Sequence, residues 1–180
     1  MVLGSEATLS CPAMTRSSVE AVVRALNEAG VRYLIAGGLA VVAHGYVRFT
    51  ADVDLILDLA PDNLARALQV FEKLGYRPRA PVALTMFQDP ASRASWAREK
   101  GMTVFSLNSS AHPATELDLF VETPLEFDPA FARARKSTIA PGVEATFVGY
   151  DDLIALKRKA GRPQDREDIE RLESLRREES

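Results

Sequence analysis

The sequence predicts an α/β domain, a small mixed sheet flanked by helices, and three observations carry that expectation. Short apolar runs closed by glycine alternate with stretches of helical period. The 180 residues are 47% hydrophobic and 26% charged, which suits one core built without staples. No apolar run approaches the ~18 residues needed to span a bilayer, so no membrane partner is expected. The formal charge is −3, from 22 Lys and Arg against 25 Asp and Glu. No global basic field therefore draws the chain to nucleic acid, and such a partner must be held by a local patch. Cys11 is the only cysteine. It excludes an intramolecular disulfide or a cysteine-based zinc cluster and suits a reducing, cytoplasmic setting.

Taken in order, residues 1–16 mix Gly, Ser, Pro and Thr without apolar period and read as a loose N-terminal arm without a signal-peptide pattern. Residues 17–180 read as one domain. Val19, Val22, Val23 and Leu26 recur at helical spacing, with Ser17 or Ser18 as cap and Gly30 as stop. Arg32 to Ala36 is a short buried strand ended by Gly37-Gly38, and Leu39, Val42 and Ala43 continue as a helix to Gly45. Val53, Leu55 and Leu57 alternate as a strand, and Pro61 opens a helix through Leu64, Leu68 and Phe71 to Gly75. Pro78, Pro81 and Pro90 break the next stretch, where Trp96 with Arg93, Arg98 and Lys100 reads as an amphipathic loop or short helix. Thr103 to Leu107 and Leu117 to Val121 are expected as two strands of a hairpin, and Ala145 to Val148 as one more. Two helices close the chain, from Tyr150 to Ala160 and from Gln164 to Arg177.

The residues that carry chemistry are carboxylates. Asp52 and Asp54 are two apart on a strand, so both leave one face while Val53 and Leu55 anchor the other. Neighbouring anions repel, and a bound cation such as magnesium relieves them. Asp118 offers a third carboxylate from the later strand, with Leu117 and Leu119 anchoring the opposite face. A bare Asp-x-Asp also suits the wet face of an edge strand. Upstream, Gly37-Gly38 joins a strand to a helix, where missing side chains let backbone N–H groups approach a phosphate; a plain turn uses a glycine pair equally well.

The run from Ala36-Gly37-Gly38 to Asp52-Val53-Asp54-Leu55 resembles the nucleotidyltransferase-fold superfamily, polymerase-beta-like proteins, and most of all its minimal bacterial members, the AbiEii-like toxins of type IV toxin–antitoxin systems and related stand-alone proteins. The resemblance covers residues 34–57, adds Asp118, and returns in Asp152-Leu153-Ile154-Ala155-Leu156-Lys157 and in Gly161 to Asp168. It implies transfer of a nucleoside monophosphate from a nucleoside triphosphate to an acceptor, with magnesium or manganese held by Asp52, Asp54 and Asp118. Asp118 would be the ligand on the acceptor side. It also implies a functional lysine and a later aspartate, which fall on Lys157 and Asp165, and it allows a partner antitoxin.

Helical spacing sets Lys157 four residues after Leu153, where its ammonium either reaches a triphosphate or snorkels to solvent. Asp165 shares a face with Asp168, Ile169 and Leu172, an odd setting for two carboxylates unless they meet Lys157, Arg162 or a ligand. A helix N-terminus, whose dipole acidic residues offset, explains Asp168 as well. Arg48 and Thr50 flank the path into the aspartate strand and are candidate phosphate contacts, although Thr50 also suits a backbone-bonding role. His44 reads as a core or cap histidine, His112 has no role, and Trp96 packs rather than stacks on a base. The acceptor stays open among an RNA 3′ end such as that of tRNA, a protein hydroxyl and a small molecule. The alternative function is a non-catalytic nucleotide-binding or antitoxin-like module of the same fold.

Overall fold

The structure is a computed structural model that describes residues 13–50 and 52–178. The expected loose arm, including Cys11, lies largely outside the described residues. Helix α1 runs Ala13–Glu28, so it starts before Ser17 and that serine is not its cap. Val22, Val23 and Leu26 enter the core as their spacing requires. Gly30 follows with φ +64°, the left-handed conformation that closes a helix.

Strand β1 (Tyr33–Ile35) leads through Ala36 into α2 (Gly37–Ala43), then β2 (Val53–Leu57) and α3 (Pro61–Lys73). The proline-rich stretch resolves into a two-residue strand β3 (Arg77–Pro78), a 3₁₀ turn at Leu84–Gln88 and helix α4 (Pro90–Lys100). Asp89 caps α4 by accepting from the N–H groups of Ala91 and Ser92, Pro90 takes its first turn, and Gly101 ends it at φ +62°. Trp96 is buried and stacks on Phe105 at 4.9 Å, which bears out packing over base stacking.

Strands β4 (Val104–Asn108) and β5 (Leu117–Phe120) pair antiparallel, as expected of the hairpin. Helix α5 (Phe127–Ala132) and strand β6 (Arg135–Ala140) follow, and β6 pairs antiparallel with β7 (Val143–Phe147). The chain closes with α6 (Tyr150–Ala160) and α7 (Pro163–Glu178).

The seven strands form one sheet in the order β3-β4-β5-β2-β1-β7-β6. Both β2–β5 and β1–β7 are parallel and the remaining pairs antiparallel, so the sheet is mixed as the sequence predicts. The core is continuous across the sheet: Leu34, Ile35, Leu55, Leu57, Phe105, Leu117 and Leu119 are each at most 1% exposed. Burying each such side chain contributes about 1.5–3 kcal/mol. This apolar floor fixes the opposite-facing residues of β2 and β5, among them the aspartates.

Candidate active site

Strand β2 sits in the middle of the sheet, and its parallel pairing with β5 places Asp54 opposite Asp118 in register. Sequence spacing brings Asp52 to the same face, just ahead of β2, where it is exposed. Two adjacent strands therefore carry the three predicted carboxylates to one face. On the far side of β5, Ser106 of β4 is in register with Asp118 and donates a 2.5 Å hydrogen bond to its Oδ1. Arg79, just past β3, donates its N–H to the Ser106 carbonyl and pairs its guanidinium with Glu116 at 2.9 Å. A polar row thus crosses four neighbouring strands.

On the other side of β2, the Ala36 N–H donates to the Asp54 carbonyl at 2.9 Å, which sets the glycine turn beside the aspartate. Gly37 has φ +60°, and a Cβ there would lie 1.9 Å from Asp54 Oδ2. Glycine is needed twice over, for the backbone conformation and for clearance. A Cβ on Gly38 would lie 2.5 Å from Thr50 Oγ1 and 3.0 Å from Arg48 Nη2. The room vacated by the glycine pair is filled by the chain's own Asp54, Thr50 and Arg48.

These surroundings disfavour ionisation. The Asp54 carboxyl is pushed up to about 6, first by burial and then by the negative charges of Asp118 and Asp52, against which Lys157 and Arg162 pull down. Burial also raises Asp118, with Glu116 and Asp52 adding to it, while the Ser106 hydrogen bond favours the anion.

Lys157 neither snorkels nor stands free. It is 5% exposed, and its Nζ lies 3.0 Å from Asp165 Oδ1 and 2.7 Å from Asp168 Oδ2. The snorkelling alternative is thereby corrected: the helical face that carries Leu153 is covered by α7, which brings its own anions. Asp165 additionally accepts from the Arg162 N–H at 3.2 Å, the returning half of a capping box at the start of α7. Asp168 is fully buried. Beyond Lys157 it meets Arg48, with Nη2 donating to Oδ2 at 3.0 Å and Nε lying 2.9 Å from Oδ1, and Gln164, which donates to Oδ1 at 3.3 Å.

Residues 46–50 form a strap without regular secondary structure between α2 and β2. Tyr46 donates to Glu167 and Arg48 to Asp168, while Thr50 faces Gly38, so alternate side chains tie the strap inward and leave Val47 and Phe49 exposed. His44 bonds the Val148 carbonyl at 2.9 Å, in keeping with a core or cap histidine. Ser106 and Asp168 were not among the predicted site residues. The shared face of Asp165 and Asp168 was the only signal for the second; the first emerges from strand register alone.

Among the described residues, no three Asp, Glu, His or Cys side chains converge into a ready-made cation cage. The donor set nevertheless fits a hard divalent ion: oxygen ligands in register on β2 and β5, with carboxyls raised by burial first and by neighbouring anions second. Magnesium is commonly held by one or two carboxylates plus substrate phosphates rather than by an all-protein cage.

A central sheet with in-register aspartates beside a glycine turn defines a nucleotidyltransferase-like fold, and solved structures share it. The chain is similar to lincosamide antibiotic adenylyltransferase LnuA, lincomycin-bound, with TM-score 0.59 and 14% identity over 88% of this chain and 96% of that one. It is similar to ANT(2")-Ia in complex with adenylyl-2"-tobramycin, with TM-score 0.55 and 14% identity over 87% and 86% of the two chains. An antigenic nucleotidyltransferase-like protein from Paracoccidioides brasiliensis gives TM-score 0.57 and 16% identity over 91% and 77%. No curated protein matches the sequence. The chain belongs to the family described as nucleotidyl transferase of unknown function (DUF2204), whose model matches residues 15–180.

Proposed function

We propose that this chain is a metal-dependent nucleotidyl transferase that moves a nucleoside monophosphate from a nucleoside triphosphate to an acceptor hydroxyl and releases pyrophosphate. The observation that carries the reading is the in-register pair Asp54 and Asp118, with Asp52 beside it, held in surroundings that raise the carboxyl pKa values. A merely structural role leaves this arrangement as uncompensated cost, since buried like charges destabilise a fold. That cost argues against the non-catalytic module.

Asp52, Asp54 and Asp118 would hold magnesium or manganese, which when bound would supply charge neutralisation at the transferring phosphate and lower the pKa of an acceptor hydroxyl. The chain's own residues do the rest. Asp118, fixed on one oxygen by Ser106, keeps its other oxygen for the acceptor side. Gly37 lets Asp54 lie against the turn without a side chain between them. Arg48, Thr50 and Lys157 supply the cations and the hydroxyl for the triphosphate, and Asp165 holds Lys157.

A small-molecule acceptor is supported by the fold neighbours whose names give lincosamide and tobramycin chemistry. An RNA or protein acceptor, and a toxin role with a partner antitoxin, rest on the resemblance to AbiEii-like proteins. The test is incubation of the chain with cell extract, magnesium and α-labelled triphosphates, one base at a time. Label retained on a small molecule, on RNA or on protein names the acceptor class. Absence of magnesium-dependent transfer to any fraction overturns the reading.

A further inference from the structure

We propose that Asp168, on α7, is a positioning residue that sets Arg48 and Lys157 side by side for an incoming triphosphate. The inference rests on the function proposed above. Its carboxylate has no exposure and is the only group that touches both cations among the described residues. Those cations come from segments far apart in sequence, the strap of residues 46–50 and helix α6. Arg48 Nη2 reaches toward Gly38, and Lys157 acts on the charge of Asp54. One buried anion thereby links the glycine turn, the aspartate strand and the two closing helices.

Valence supports the same reading. An ammonium has three donors. Asp165 and Asp168 account for two directions around Lys157, and Asp168 is the one it shares with Arg48. Arg48 likewise spends one edge of its guanidinium on Asp168, and its Nη1 bonds only the neighbouring Phe49 carbonyl. Summed over Arg48, Lys157, Asp165 and Asp168, the cluster is electrically neutral. Its use to a polyanion is therefore the arrangement of its charges rather than a net attraction.

That distinction gives a test with opposite signs. Replacing Asp168 by Asn makes the cluster net positive, so bulk electrostatics alone predicts tighter binding of a triphosphate. Positioning predicts weaker binding, because both cations lose the group that orients them. The probe is inorganic triphosphate with magnesium, titrated calorimetrically into protein shown to be folded by circular dichroism. Asp168→Asn is expected to weaken binding about tenfold or more, the scale of one lost charge-assisted contact. Asp168→Glu, which keeps the charge, is expected to recover part of that loss.

Unchanged or tighter binding by folded Asp168→Asn overturns the proposal, since a purely structural role lowers melting but not the affinity of folded molecules. If that variant does not fold, Asp168→Glu decides, because it keeps the charge and both cations but moves the carboxylate by one methylene. Weaker binding there supports the proposal, and wild-type affinity overturns it. A wild-type chain that does not bind magnesium triphosphate overturns the proposed function and this inference together, whereas normal wild-type binding with unaffected variants removes only the role of Asp168.

Discussion

Replacing Asp54 by Asn is expected to stabilise the cation-free protein at neutral pH while removing its response to magnesium. In the fold this carboxyl titrates at about 6 instead of near 3.8. Below pH 4 the group is protonated in folded and unfolded chains alike and contributes nothing. Between pH 4 and 6 the folded state holds more protons than the unfolded one, so stability falls as pH rises. Above pH 6 the full cost is present, about 3 kcal/mol if none of it is relieved by local relaxation. Asparagine never ionises and escapes that cost. For a domain of this size 1 kcal/mol moves the midpoint by roughly 2–4 °C, so the unrelieved cost corresponds to a variant melting roughly 6–12 °C above wild type at pH 8. Near pH 3.5, below both values, the two should nearly coincide. Thermal melts in chelator across this range measure the difference, and repeats with magnesium should raise wild type only. A variant that melts at or below wild type at pH 8, with a difference that does not change with pH, refutes the reasoning.

Three further substitutions probe neighbouring parts of the site. Lys157→Met leaves two buried carboxylates without their shared cation, so urea denaturation should show a loss of about 3–5 kcal/mol, the scale of a broken buried ion pair; a loss below about 1 kcal/mol contradicts the pairing. Gly37→Ala forces a methyl group onto Asp54 in a left-handed backbone, and calorimetry should show magnesium triphosphate binding lost along with stability. Combining it with Asp54→Gly should recover part of the stability, and no recovery means that backbone strain is the whole effect. Ser106→Ala releases one oxygen of Asp118 and should slow transfer in single-turnover label experiments about tenfold with little change in triphosphate affinity. Wild-type transfer in that variant removes Ser106 from the site.

What was legible in the sequence follows from how far each signal reaches. The aspartate strand and its glycine turn were readable because alternation and missing side chains are local properties, and their structural counterparts β1, α2 and β2 fall where expected. Helix α4 was open between a loop and a short helix, although its punctuation is local too: Asp89-Pro90 at one end and Gly101 at the other are start and stop signals. Pro90 was weighed as a breaker when it stood at the first turn. Strand β6 carried no alternation to read. It is an edge strand exposed at Arg135, Lys136 and Thr138, and its place is set by pairing with β7. Ser106 is legible only once β4 is paired with β5, since a serine in a short strand has no sequence mark of its own.

The placement of the charges explains why the site needs the whole fold. Asp54 and Asp118 are brought into register by a parallel pairing between strands separated by α3, α4 and β4, so no local structure assembles them. Their repulsion opposes that pairing, and the apolar side chains on the opposite face, Val53, Leu55, Leu117 and Leu119, offset it by burial. The compensating cations arrive last in sequence, Lys157 on α6 and Arg162 just before α7, and α7 brings the anions that pair Lys157. A chain truncated before α6 would keep the carboxylates and lose Lys157 and Arg162, the two cations that hold the Asp54 pKa down. Asp54 would then titrate higher still, and less of it would be ionised at neutral pH to meet a divalent ion. The closing helices therefore act on the site through charge as well as packing: they move Asp54, which burial would neutralise, toward the ionised state that cation binding requires.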